Sequence, residues 1–343
     1  MHTLKTRAKK NERFHFGNHA TAITFAYHFS LIFLLCFSLG CKKETLELPG
    51  VVIPNPVQGE IRAIHILQQG KWIIGGGQDN LGQIYTSADS GQTWFAATGI
   101  FYHKITDIAQ TPSSRLFSCD AVVDISHSNN DGNSWQLFTD TIWPQTINQY
   151  LRSITFLNDS TGIICGGKNY KNGSLYRTTD YGQHWTFTEY QHEYRGAIAN
   201  RFGDVVVCGY GSLLVSHDAG ISFQELGSDQ KYYTAACIDS SGSFVLCTFD
   251  GGVYQSTNQG YSWNQLRNEN EDGKLKKFVC MDISPSGKIL CAGPDGQIIY
   301  SVDGSTWNAY TVCDKNYILD VKWISEHEFL AGCKNGQLFK IGL

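Results

Sequence analysis

The chain has 343 residues, 42% of them hydrophobic, 13% aromatic and 17% charged, with 35 glycines and a formal net charge of −4. That is enough apolar side chain for a large core, which excludes a disordered chain. The absence of a basic domain or a continuous charge run excludes a nucleic-acid-binding protein, so no nucleic acid is expected as a partner.

Met1 to about Ala22 is basic and polar, and Thr24–Gly40 (TFAYHFSLIFLLCFSLG) is apolar and ends at Cys41. A basic segment followed by an apolar one is the outline of a secretory signal. The apolar stretch falls short of the roughly 20 residues a membrane span needs. The division expected is 1–40 as signal peptide, 41–45 as a short tether and 46–343 as one repeat domain.

Beyond the leader, an octapeptide of the form Ser/Thr-x-Asp/Asn-x-Gly-x-x-Trp/Phe recurs. It reads SADSGQTW (Ser87–Trp94), SNNDGNSW (Ser128–Trp135), TTDYGQHW (Thr178–Trp185), SHDAGISF (Ser216–Phe223) and STNQGYSW (Ser256–Trp263), with a version one residue shorter at Ser301–Trp307. The aromatic ends are spaced by 41, 50, 38, 40 and 44 residues. A period of roughly 40 with one four-stranded unit per repeat predicts an all-β fold, a β-propeller. The Asp or Asn closes a turn on downstream backbone N–H groups. The glycine supplies positive φ, the hydroxyl adds a local bond and the aromatic packs at a blade junction. Because Asn130 and Asn258 stand where the other copies have Asp, the position is expected to form turns and not to do chemistry.

Strands follow from alternation and β-branched content. The first repeat carries IRAIHIL, WIIGG, QIYTS and TWFAAT, and five further repeats follow the same plan. A last unit has three strands (YILDVKWI, EFLAGC, QLFKIGL) and no octapeptide. Because an open propeller would expose sheet edges, Leu46–Ile53 (LELPGVVI) is expected to supply the missing strand. The fold class predicted is a seven-bladed propeller of four-stranded antiparallel blades, with the N-terminal strand closing the last blade.

The octapeptides resemble Asp-boxes (BNR repeats), and Leu151–Trp185 is similar over a full blade length to the repeat of the photosystem II stability/assembly factor family. The resemblance covers about Ile61–Leu343 and implies a protein or peptide client. Sialidases, xyloglucanases and sortilin-type receptors carry the same box. Ser38-Leu39-Gly40-Cys41 is similar to a bacterial lipobox, with Ser38 in place of the usual Leu, and Lys42-Lys43-Glu44 behind it looks like lipoproteins of the Bacteroidota. That resemblance implies lipidation at Cys41, a membrane anchor and residence in the cell envelope of a Gram-negative bacterium; the competing reading is an uncleaved N-terminal anchor.

Nine cysteines follow Cys41, and Cys119, Cys165, Cys208, Cys247 and Cys291 end the second strand of five successive repeats, with Gly75 and Ala331 at that place in the first and seventh. A position shared by Cys, Gly and Ala is a tight apolar one. One copy per blade lies too far from the next for a disulfide. Cys237 and Cys280 fall in first strands, and Cys313 with Cys333 is the best-placed pair if one disulfide exists. No zinc spacing and no phosphate-binding loop occurs, and Asn129-Asn130-Asp131-Gly132 lacks the downstream Glu of a calcium loop, so no metal and no cofactor are expected.

In a propeller the segments leading into the innermost strands open, with the loops between second and third strands, on one face of the central channel. Here those segments are aromatic and basic: Arg62, Tyr102-His103-Lys104, Tyr150 with Arg152, Tyr194-Arg195, Tyr232-Tyr233, Lys276-Lys277 and Tyr317. Loops nearby add Trp143, Tyr170, Tyr210 and Phe249. Only seven arginines follow residue 41, and Arg62, Arg152 and Arg195 are three of them. Tyr and Arg anchor binding surfaces, and Arg grips carboxylates in a two-pronged fork. The expectation is a non-catalytic module binding a protein, a peptide or possibly a glycan through this mouth, as a monomer. The alternative is a sialidase-like glycosidase, in which the three arginines would grip the substrate carboxylate beside a Tyr–Glu pair. Glu60, Glu189 and Glu193 are the Glu candidates, but the Phe-Arg-Ile-Pro signature is missing, since Arg62 sits in Glu60-Ile61-Arg62-Ala63. A purely structural envelope protein is the third reading.

Overall fold

A computed structural model describes residues 46–48, 50–138, 150–226, 231–271, 277–313 and 315–343. The signal and lipidation expectations at residues 1–45, and the mouth residues Trp143 and Lys276, lie outside the described residues. Among those described, no helix is long and apolar enough to cross a membrane.

Seven antiparallel sheets form seven blades. Their first strands are Glu60–Ile66, Ile105–Gln110, Tyr150–Phe156, Tyr194–Ala199, Tyr233–Ile238, Cys280–Ile283 and Ile318–Trp323. Each first strand touches that of the next blade, and the seventh touches the first, so these strands form a closed inner ring. Second strands are buried along their whole length, as in Leu116–Asp120, Val205–Gly209 and Phe244–Thr248, because blades cover them on both faces. The continuous apolar run Val205-Val206-Val207 is the sequence form of that burial.

The N-terminal segment closes the ring, but as two strands. Val51–Ile53 pairs antiparallel with Leu338–Gly342 and completes blade seven. Leu46–Glu47 instead pairs parallel with Asn308–Thr311, adding a fifth strand to blade six. The chain changes blades at Gly50, where a Cβ would lie 2.9 Å from Ile341 Cγ1 and 3.2 Å from the Phe339 ring. A side chain there would force Ile341 or Phe339 to shift.

All six octapeptide loops share one hydrogen-bond pattern. The hydroxyl donates to the Asp or Asn Oδ1 (2.8 Å at Ser87–Asp89, 2.9 Å at Ser128–Asn130) and accepts from the glycine N–H (2.8 Å at Gly91, 3.1 Å at Gly132). The same Oδ1 accepts the N–H four residues on in the five full-length copies, and three residues on at Asp303 in the short one. Asn130 and Asn258 accept as the aspartates do. In the full-length copies two consecutive residues take positive φ, such as Ser90 at 57° and Gly91 at 83°, which is why a glycine stands second.

The nine described cysteines are free. Cys313 and Cys333, the pair best placed for a bridge, are buried thiols in contact, and that contact and burial push the Cys333 thiol up. Register places Gly332, and not Ala331, at the small-residue position of blade seven, opposite Asp320. In blade six Ala292 lies opposite Cys280, one residue on from Cys291. The position is tight because it abuts the next blade: a Cβ on Gly75 would meet Ile105 at 3.0 Å, and one on Gly332 would meet Ile61 at 2.6 Å.

Candidate functional site

One device re-aims the inner strands at the mouth. The pairing of first and second strands slips by one residue in six blades, at Arg62, Thr106, Arg152, Arg195, Thr234 and Leu319. A β-bulge leaves its extra residue outside the ladder and turns that side chain away from its neighbours. These six residues, with Val279 at the matching place in blade six, all line a single cavity of about 390 Å³. The remaining wall is Tyr170, Tyr232, Phe249, Tyr317 and Lys334.

The residue before each bulge faces the other way. Ile61, Ile105, Leu151, Tyr194, Tyr233, Phe278 and Ile318 are all buried in the interblade core. This corrects two expected mouth residues. Tyr194 is fully buried, edge-on to Tyr190 at 5.7 Å, and Tyr233 packs among Leu213, Leu246 and Tyr254. Aromatic character near the start of a strand does not say on which side of the bulge a residue falls.

The other expected residues stand around the cavity. Tyr102 is exposed. His103 pairs with Asp120 at 3.1 Å, and Lys104 bridges Glu60 at 3.3 Å and Asp79 at 2.7 Å. Tyr150 is half-exposed with the Arg152 guanidinium 5.3 Å from its ring centre, and Lys277 sits 5.0 Å over Phe249 while pairing with Asp250. None of these lines the cavity itself, and Arg62, Arg152, Arg195, Tyr232 and Tyr317 do.

Glu193 organises the arginines. It is buried, and its Oε1 accepts from Arg152 Nη2 at 3.2 Å and forms an ion pair with Arg195 Nη2 at 3.0 Å, while Oε2 accepts the Tyr170 backbone N–H at 2.9 Å. Burial, and then Arg195 beside it, lower the Arg152 pKa from its ordinary value. The Nε atoms of Arg152 and Arg195 are buried and have no hydrogen-bond partner among the described residues, an unusual state for buried N–H groups. Arg62 is held by Glu60; burial acts to raise the Glu60 pKa, but Arg62 and Lys104 together keep it below the usual range. Burial pushes the Tyr232 phenol up to about 12 against the pull of Arg195. Lys334, which the sequence reading missed, stands 5.9 Å from the Tyr317 ring centre and makes no ion pair among the described residues. Its signal was positional: it lies in the loop between second and third strands, where Tyr170, Tyr210 and Phe249 also lie.

Below the mouth the inner ring turns acidic. Asp107, Asp282 and Asp320 accept backbone N–H groups of the following blade, at Ile154 (2.9 Å), Trp323 (2.8 Å) and Ile64 (2.7 Å). Burial pushes Asp320 up to about 8 and Asp107 to about 6. These carboxylates staple blade to blade, and Lys322 pairs with Asp282 at 2.8 Å. Among the described residues one group of metal-ligating type, His103 with Asp120 and Asp124, has its donor atoms within 4.8 Å of one another. Asp120 is already committed there: its Oδ1 accepts the Val122 and Asp124 N–H groups at 2.8 and 3.0 Å, and its Oδ2 faces His103.

No family model and no curated protein matches the chain. Solved structures match its fold. A structure described as YCF48 bound to D1 peptide superposes with a TM-score of 0.66 at 16% identity, covering 87% of this chain and 97% of that one. YCF48 from Cyanidioschyzon merolae gives 0.65 at 12% identity over 86% and 98%. Virginiamycin B lyase from Staphylococcus aureus gives 0.67 at 10% identity over 87% and 99%. At these identities the likeness is one of fold.

Proposed function

We propose that the chain is a non-catalytic propeller, tethered in the cell envelope, that binds an anionic peptide segment of a protein client through the mouth of its channel. The observation that carries this is the convergence of Arg62, Arg152 and Arg195, from three different blades, on one concave site walled by tyrosines. Guanidinium groups fixed by carboxylates from beneath are pre-oriented donors for an incoming carboxylate, so little side-chain freedom is lost on binding. A propeller of matching fold, YCF48, is described as bound to a peptide. The tether is proposed at Cys41, and incorporation of labelled palmitate that disappears in Cys41→Ser tests it.

The glycosidase alternative fits these residues poorly. Such an enzyme needs a Glu free to draw a proton from a Tyr nucleophile. Glu193 is spent on two guanidiniums and a backbone N–H, and the Tyr232 phenol is raised instead of activated. An array carrying acidic peptides and sialylated or uronic-acid glycans, probed with the wild type and with Arg152→Ala/Arg195→Ala, tests the proposal. Acidic peptides bound by the wild type and lost in the variant are expected; binding confined to glycans would replace the peptide reading.

A further inference from the structure

Four aromatic rings run side by side along the rim of the cavity. Tyr170 lies 4.9 Å from Tyr210 between ring centres, Tyr210 5.2 Å from Tyr232, and Tyr232 5.4 Å from Phe249. They come from three blades, and Tyr170, Tyr232 and Phe249 also line the cavity. The Arg195 guanidinium stands 5.7 Å from the Tyr232 ring centre, so the row runs alongside the arginine cluster. Tyr170 and Tyr210 are 53% and 44% exposed.

Tyr170 is held there at a cost. Its φ is 65°, directly after Asn169 at 59°, a left-handed conformation that a bulky residue adopts rarely and that Gly211 supplies in the corresponding loop of the next blade. A hydrogen bond from its N–H to Glu193 Oε2 at 2.9 Å fixes it. The same carboxylate grips Arg152 and Arg195 through its other oxygen. One buried group therefore sets the position of both the cationic cluster and the start of the aromatic row. Strained backbone that surrounding groups over-determine clusters at ligand sites.

We infer that the row Tyr170–Tyr210–Tyr232–Phe249 is a second subsite that accepts an aromatic side chain of the bound peptide next to its carboxylate group. This rests on the reading of the mouth as an anionic-peptide site. Offset or edge-on ring contacts select planar side chains, and the adjoining guanidiniums set the distance at which a carboxylate must follow. Acidic peptides lacking an aromatic neighbour are then weak ligands, and Tyr170 is a specificity residue.

The test uses full-length protein and two synthetic hexapeptides, each with two aspartates, differing only in a phenylalanine or an alanine beside them. Fluorescence anisotropy gives both affinities for the wild type, Tyr170→Gly and Tyr210→Ala. The wild type is expected to prefer the phenylalanine peptide by roughly tenfold. Either substitution should shrink that preference, weakening the phenylalanine peptide several-fold more than the alanine peptide. Tyr170→Gly relieves the left-handed strain, so its melting temperature should hold or rise, which a merely structural Tyr170 would not allow. Equal affinity of the two peptides, or an undiminished preference in both variants, overturns the subsite and leaves the basic mouth standing. Failure of both peptides to bind the wild type overturns the anionic-peptide reading and this inference with it.

Discussion

The two ends of the propeller are built from the same strands and spend their polar groups differently. At the octapeptide end the leading Ser or Thr hydroxyl and the Asp or Asn two residues on are partnered within their own loop, and the arrangement repeats six times with Asn serving as well as Asp. At the mouth the bulge position repeats in register but not in residue: Arg, Thr, Arg, Arg, Thr, Val and Leu in chain order. Partners there cross between blades, as when Glu193 of blade four holds Arg152 of blade three. What repeats makes the fold, and what breaks the repeat lies where the ligand site is proposed.

The comparison breaks if the mouth proves dispensable. Arg152→Ala/Arg195→Ala is expected to weaken an acidic peptide about a thousandfold, roughly 4 kcal/mol for two desolvated charge contacts, read by calorimetric titration. Glu193→Ala should lower stability by about 3 kcal/mol in urea unfolding, because two largely enclosed guanidiniums lose their counter-charge. It should also weaken the peptide, since neither the arginines nor Tyr170 stay in place. At the opposite end Ser216→Ala removes the acceptor of the Gly220 N–H (2.9 Å) and the donor to Asp218 (2.7 Å). It is expected to cost about 1 kcal/mol of stability with peptide affinity unchanged. A loss of affinity there would erase the distinction between the ends.

A pH-dependent effect sharpens the account of the ring below the mouth. Burial raises Asp320 from 3.8 to about 8 in the folded protein, so the unfolded chain releases that proton first as pH rises. The contribution is full below pH about 4 and is lost on the way up to about 8. Asp320→Asn keeps an acceptor for the Ile64 N–H and abolishes the titration. Its stability relative to wild type should therefore improve steadily over that window, followed by urea unfolding at each pH; a constant difference would show that Asp320 does not titrate there.

Much of this was legible in the residues. The octapeptides and the buried second strands announced the blades, and the placing of Arg62, Arg152 and Arg195 at the start of inner strands marked the mouth. Leu46–Ile53 read as one strand because the last blade lacked a single strand; the jump between blades depends on how closely Gly50 approaches Phe339 and Ile341, which no local pattern encodes. Tyr194 and Tyr233 were placed on the wrong side because a one-residue bulge reverses facing, and the bulge shows only in the register of pairing. Glu193 was visible as a carboxylate near the mouth, but its grip on two arginines and a strained tyrosine belongs to the meeting of two blades.

The central claim is that charge fixed at the mouth captures an anionic peptide, and the affinity of one acidic peptide measured across ionic strength, for the wild type and for Arg152→Ala/Arg195→Ala, tests it most directly. Affinity that falls steadily with added salt in the wild type, and is lost in a variant that still melts cooperatively, is the result predicted. Affinity indifferent both to salt and to the two arginines would contradict it.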